Sequence, residues 1–174
     1  MSVLRTNKIY PRDGLPAGAS GGGIIQIVEG AAITNTRDTT TTASSWVATS
    51  TVATITPTSS SNKILVLASI YAGANNSSAY TYGTFAIQRS IGGGSYSEIF
   101  APTSTDGGGN VFGGITLNSY GGATELYGGL NVNHIDSPAT TSAVSYRIAM
   151  RTLGGYGTVG VNKGTKIVLM EVSG

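Results

Sequence analysis

A chain of 174 residues with 26 Gly, 23 Thr, 20 Ser and 10 Asn gives 79 positions to small or turn-forming polar residues, and only 18 positions are charged. A charged share of 10%, against about 25% in ordinary soluble domains, leaves too few Lys, Glu and Arg to clothe the solvent faces of several helices, and a net charge of +2 beside several apolar runs excludes a disordered chain. The absence of cysteine excludes disulfides, thiol catalysis and thiolate metal sites, so the sequence predicts one all-β domain that holds its core without staples.

In chain order, residues 1–23 hold Pro11, Gly14, Pro16, Gly18 and the triplet Gly21, Gly22, Gly23, the composition of an extended arm with a flexible joint. The folded part is expected to begin at Ile24, giving two units, 1–23 and 24–174. Ile24 to Glu29 reads as a strand, Ala31 to Ser45 as mixed strand and loop, and Trp46 to Thr56 as a weakly alternating strand stopped by Pro57. Lys63 to Tyr71 sets Ile64, Val66, Ala68 and Ile70 against Leu65, Leu67, Ser69 and Tyr71, the pattern of a central strand buried on both sides. Thr84 to Ile91 places Phe85, Ile87, Arg89 and Ile91 opposite Thr84, Ala86, Gln88 and Ser90, and the glycines at 92–94 turn it into Ser95 to Phe100 as a hairpin.

Asn110 to Asn118 and Glu125 to Ile135 read as weaker strands around a Gly121, Gly122 turn. Ser142 to Leu153 is half-buried, with Val144, Tyr146, Ile148 and Met150 inward and Ser145, Arg147, Ala149 and Arg151 facing water or another subunit. A turn at Gly154, Gly155 and Gly157, a hairpin turn at Asn162 to Thr165 and a last strand from Thr165 to Val172 complete the chain. About eight to ten strands without a fixed repeat predict a β-sandwich of jelly-roll type. Such sheets need protected edges, and the scarcity of Lys and Glu predicts that copies of the chain cover one another's edges.

Charge is concentrated at the start, where Arg5, Lys8 and Arg12 face Asp13; the other 160 residues carry seven charges of each sign. No basic stripe is present to neutralise phosphates, so no nucleic-acid partner is expected. No apolar stretch approaches the ~20 residues that span a bilayer, and the first 15 residues lack a signal-peptide core, so no membrane insertion is expected.

Glycan hydrolysis requires two carboxyl groups beside one bond, and Glu98, Asp106, Glu125 and Asp136 are the available acids. They stand in or beside Gly-rich turns, where Asp commonly closes a turn with its own side chain. His134, the sole histidine, is two residues from Asp136, but no serine occupies a nucleophile elbow, and a strand-end histidine is the expected role. Asp106 to Asn110 offers too few oxygen ligands for calcium, and the glycine triplets do not continue into a phosphate loop. No catalytic, metal or cofactor residue is assigned.

Binding surfaces are the better candidates. Tyr80, Tyr82, Tyr96, Tyr120, Tyr127 and Tyr156 lie in or next to Gly-, Ser- and Asn-rich segments, where a flat ring with a polar tip suits either receptor contact or packing between subunits. Val3, Leu4, Arg5, Lys8, Ile9, Tyr10 and Arg12 mark the arm as a docking peptide that orders on a partner, with Pro11 and Pro16 lowering the entropy lost.

Four stretches taken together resemble fibre-type structural proteins of tailed bacteriophages, the marine and cyanobacterial type in particular. They are residues 3–14, VLRTNKIYPRDG; residues 22–28, GGIIQIV; Thr54 to Pro57 with Ser61 to Leu67; and Asp136 to Pro138 with Ala143 to Arg147 and Ile167 to Val172. The resemblance implies a virion component, usually a homotrimer, attached to other virion proteins through its N-terminal arm and presenting a β domain toward a host surface glycan or protein. The chain has no long shaft region, a departure that leaves a short tail fibre, a tail-tip adaptor and a head fibre or capsid decoration protein as alternatives. A stand-alone carbohydrate-binding module is the runner-up from a different class.

Overall fold

The computed structural model describes residues 23–33, 36–41, 45–76, 81–101, 104–105, 111–112, 115–119, 124–153 and 157–174. Among them every regular element is a strand. These are β1 (Ile24–Glu29), β2 (Arg37–Thr40), β3 (Val47–Ile55), β4 (Lys63–Asn76), β5 (Thr81–Ile91), β6 (Ser97–Phe100), β7 (Ser104–Thr105), β8 (Val111–Phe112), β9 (Ile115–Ser119), β10 (Thr124–Asp136), β11 (Val144–Leu153), β12 (Thr158–Asn162) and β13 (Lys166–Val172).

All the pairings are antiparallel. Sheet A centres on β4, which pairs along one edge with β10 from Ile64 to Asn76. Its other edge is shared end to end, by β13 against Lys63 to Ser69 and by β12 against Ala72 to Asn75. β1 flanks β13 and β2 flanks β12. Sheet B runs β3, β11, β5, and the far edge of β5 is likewise shared, by β6 against Ile87 to Arg89 and by β9 against Thr81 to Phe85.

Counting β6 with β9 and β12 with β13 as two interrupted strands leaves eight strand lines, apart from β2 and the small β7–β8 ladder. Numbered along the chain, they stand in the order 1-8-3-6 in sheet A and 2-7-4-5 in sheet B. That order is the double Greek key of a jelly roll. The expected all-β, jelly-roll-like sandwich is the fold observed, and its first strand begins at Ile24. The proposed arm, residues 1–23, lies outside the described residues except for Gly23.

The core sits between the sheets. From sheet A it takes Ile64, Val66, Ala68, Ile70, Ala72, Ala74, Val132, Val159, Val161, Ile167 and Leu169; from sheet B it takes Ala53, Ile55, Phe85, Ile87, Val144, Tyr146, Ile148 and Met150. Small residues at the Ala72 and Ala74 end of β4 give way to Ile and Val at the other end.

Three expectations need correction. β4 runs five residues beyond Tyr71, and only its even-numbered face is fully buried: Leu65 and Leu67 are half-buried, while Ser69 and Tyr71 are exposed. A two-layer sandwich covers one face of each sheet, so the predicted burial on both sides is not met among the described residues. Second, β12 is a strand that the Gly-rich sequence around it concealed. Third, Asn162 to Thr165 is not a hairpin. It closes as a tight turn, Thr165 N donating to Asn162 O at 3.1 Å with Gly164 at φ 102°, but the chain then continues in the same direction along β4. Tyr71 bridges the interruption, its N–H donating to Thr165 Oγ1 (3.0 Å) and its carbonyl accepting from Asn162 Nδ2 (3.2 Å).

At the end of β1 the backbone touches both sheets: the Gly30 N–H donates to Ile167 O of sheet A, and the next N–H, of Ala31, donates to Val52 O of sheet B. A Cβ at Gly30 would lie 2.7 Å from Val52 O and 2.8 Å from Ala53 Cβ, backbone and core atoms that cannot swing aside. Gly30→Ala is expected to cost about 1–3 kcal/mol, as overpacking does. Thermal unfolding followed by circular dichroism should show the midpoint falling, and an unchanged midpoint would disprove this close approach.

Candidate functional site

The chain is poor in charge, and the geometry shows where it spends the carboxylates it has. Asp136, at the end of β10, is buried, and both its oxygens accept from Arg89 Nη1 on β5, at 2.8 and 2.9 Å. Its Oδ2 also accepts from the Tyr146 hydroxyl on β11 at 2.8 Å. One carboxylate of sheet A thus ties two strands of sheet B. Burial pushes the Tyr146 phenol far above its usual pKa, and its hydrogen bond to Asp136 adds to the shift.

Glu171 on β13 is fully buried and faces inward beside Leu169. It accepts from Asn62 Nδ2 (2.6 Å), Gln26 Nε2 (2.6 Å), Thr58 N (2.7 Å) and Thr58 Oγ1 (2.8 Å). Burial alone raises the pKa of this carboxyl, but the hydrogen bonds from Asn62, Gln26 and Thr58 outweigh it and bring the pKa down to about 2. The network fastens β1, β13 and the β3–β4 connection together, and Asn62 Oδ1 accepts from Gly174 N in addition. Asp38 on β2 works in the same way at another border, accepting from Ser50 N and Ser50 Oγ of β3, both at 2.7 Å. Glu29 pairs with Lys166 at 2.7 Å on the outer face of sheet A, and the ammonium lowers its pKa.

Of the acids weighed for catalysis, the two with described side chains, Asp136 and Glu98, serve different neighbours. Asp136 is held by Arg89 and Tyr146; Glu98 is exposed on β6, opposite Gln88. The backbone of Glu125 belongs to β10, but its side chain lies outside the described residues, as does Asp106 altogether. His134 packs against the Phe100 ring, with centroids 5.7 Å apart, so the histidine and Asp136 serve different neighbours.

Three of the four described arginines lie over aromatic rings. Arg147 stacks 3.7 Å from the Tyr96 centroid and donates through Nε to Gln88 Oε1 at 2.9 Å, and Arg151 lies 4.4 Å from the Trp46 centroid. The two arginines lie on the outer face of sheet B beside Ala149 and Ala86, which have no exposure. Ala48, Thr54 and Glu98 on the same face are exposed. Cation–π seating supplies partners that the scarce acids cannot.

On the outer face of sheet A, Arg37 lies 5.6 Å from the Tyr127 centroid, and Tyr127 is 6.0 Å from Tyr71. Gly160 and Gly73 are the floor beneath Arg37: a Cβ on either would come within 2.7 Å of its guanidinium atoms. Of the six tyrosines singled out for receptor contact, Tyr127 is exposed on this face and Tyr96 is half-buried under Arg147. Tyr82 is a backbone member of β5 with its side chain outside the described residues; Tyr80, Tyr120 and Tyr156 lie outside them entirely. So do the arm residues Val3, Leu4, Arg5, Lys8, Ile9, Tyr10 and Arg12.

Sequence reasoning missed Glu171, Arg37, Tyr71 and Trp46. For Glu171 the signal was present: alternation puts it on the same face as Ile167 and Leu169. Arg37 and Trp46 carry no such signal, because their partners are distant in sequence. In comparisons with known proteins, the chain matches no family model and no curated protein.

Two measurements check these networks. Because the folded pKa of Glu171 lies near 2, below the ordinary 4.5, the unfolded chain takes up the proton first. The stabilisation is fully present above pH 4.5 and is lost as pH falls toward 2. Urea midpoints measured across that window should decline, and Glu171→Gln should flatten the decline. Asp136→Asn should cost about 3 kcal/mol and Tyr146→Phe about 2 kcal/mol in the same assay, the former leaving a cation unpaired between the sheets.

Proposed function

We propose that the chain is a non-enzymatic structural protein of a tailed bacteriophage particle: a short tail fibre or tail-tip component, held by residues 1–23 and presenting its jelly roll outward as a homotrimer. The observation that carries this reading is the use of charge. Asp136, Glu171 and Asp38 are committed to fastening sheet to sheet or loop to strand, and the arginines are seated on aromatic rings. Such a domain is internally cross-tied and presents neutral polar and aromatic surfaces, which suits a durable display module.

Two further observations support it. The first strand starts at Ile24, directly after the Pro- and Gly-rich segment with its own apolar and basic residues. Gly23 O accepts from Ser173 N at 3.2 Å, which fixes the point where that segment joins the fold beside the end of β13. A peptide leaving from this defined corner can dock into another virion protein while the sandwich stays rigid.

Deleting residues 2–20 tests the reading. The shortened chain is expected to fold and self-associate but to be missing from purified particles, with antibody label on the full-length protein falling on the tail in electron micrographs. Incorporation of the shortened chain at normal copy number would overturn the anchoring role. Hydrolysis of host polysaccharide by the purified protein would overturn the non-enzymatic assignment.

A further inference from the structure

Among the described residues, seven large apolar side chains are well exposed: Ile24, Ile25, Ile27, Tyr71, Ile91, Tyr127 and Ile135. The pairing register places five of them, Ile24, Ile27, Tyr71, Tyr127 and Ile135, on the outer face of sheet A. Ile27 pairs with Met170, Met170 with Leu65, and Leu65 with Ile135, so one apolar row crosses all four strands. Ile27 is 58% and Ile135 61% exposed at its two ends, with Met170 and Leu65 half-buried between them. The adjacent row brings Val168 beside Leu67, and Ile24 pairs with Val172 on the other side. Tyr71 and Tyr127 continue the face toward the far end of β4.

We infer that this face is the surface through which copies of the chain pack against one another. The inference rests on the reading of the protein as a self-assembling component and names the surface that does it.

Three observations select a sister copy as the occupant. Around the isoleucine end the charged side chains are Glu29, Lys166 and Lys63, and the first two neutralise each other at 2.7 Å. An end carrying one net charge, that of Lys63, meets its own copy with little repulsion, whereas a charged partner would need a complementary field. The size also fits. Taken over its whole length, with the Arg37, Tyr71 and Tyr127 end included, the face is four strands wide at about 4.8 Å each and fourteen β4 residues long at about 3.3 Å each, about 900 Å², against about 800 Å² per partner in a standard interface. Finally, the odd-numbered row of β4 includes Leu65, Leu67 and Tyr71, and Arg147 and Arg151 lie over the middle of the outer face of sheet B. Among the described residues sheet A has no equivalent cover at Ile27 and Ile135.

The test uses the full chain in sedimentation equilibrium. Ile27→Glu with Ile135→Glu should weaken self-association by about 100-fold or more, while Thr54→Glu, on the exposed outer side of sheet B, should leave it unchanged. Both substituted isoleucines are exposed, so a cooperative thermal melt should persist. The natural absence of cysteine allows a second measurement: Asn133→Cys on the outer face of β10 should form bis-maleimide cross-links between copies, and Thr54→Cys should not. An oligomer untouched by the two glutamates, or cross-linked through Thr54→Cys only, overturns the face assignment and leaves self-assembly standing. A wild-type monomer at tens of micromolar removes self-assembly, and this inference with it.

Discussion

Alternation along β4 governs the rest of the molecule. Six side chains on one face, from Ile64 to Ala74, are no more than 2% exposed and form the middle of the core. Because successive residues point to opposite faces, the apolar residues between them, Leu65 and Leu67, are carried outward by the same geometry. Among the described residues no further layer lies over that side, and the apolar row from Ile27 to Ile135 is open there, which is the ground for the proposed packing between copies.

Scarcity of charge is the second organising fact. With eight acids in the whole chain, each described one that is engaged holds a structural position, and several bonds converge on single carboxylates. Asp136 receives an arginine and a tyrosine, and Glu171 receives donors from Gln26, Thr58 and Asn62. Tyr146 and Asn62 are the buried donors that removal would leave unsatisfied, so Asp136 acts as a rivet between the layers and Glu171 as one between the β3–β4 connection and β1 and β13. Arg147 and Arg151 lie over ring faces, and glycine at positions 73 and 160 lets Arg37 lie close to the sheet.

The interruptions of the two composite strands have different characters. Between β12 and β13 the excursion is a four-residue turn sealed by Tyr71, Asn162 and Thr165. Between β6 and β9 the chain departs for fourteen residues and carries the small β7–β8 ladder before returning to β5. The first preserves the strand line along β4; the second separates β6 from β9 by a two-stranded ladder of its own.

Much of the fold was legible in the chain itself. Period-two alternation located β4, β5, β11 and β13 and separated their two faces, because alternation is a local property that strand geometry enforces, but it did not tell that only one face of β4 is fully buried. Composition alone established the all-β class, and the Pro- and Gly-rich opening located the first strand at Ile24. What the linear order could not supply was anything set by partners far apart in sequence: the pairing of Arg89 with Asp136, the seating of Arg147 on Tyr96, the single strand line shared by β12 and β13, and the clustering of Ile27, Leu65, Ile135 and Met170 on one open face. Those depend on which strands become neighbours, and the double Greek key, which joins residues more than a hundred positions apart, is decided only when the chain has folded.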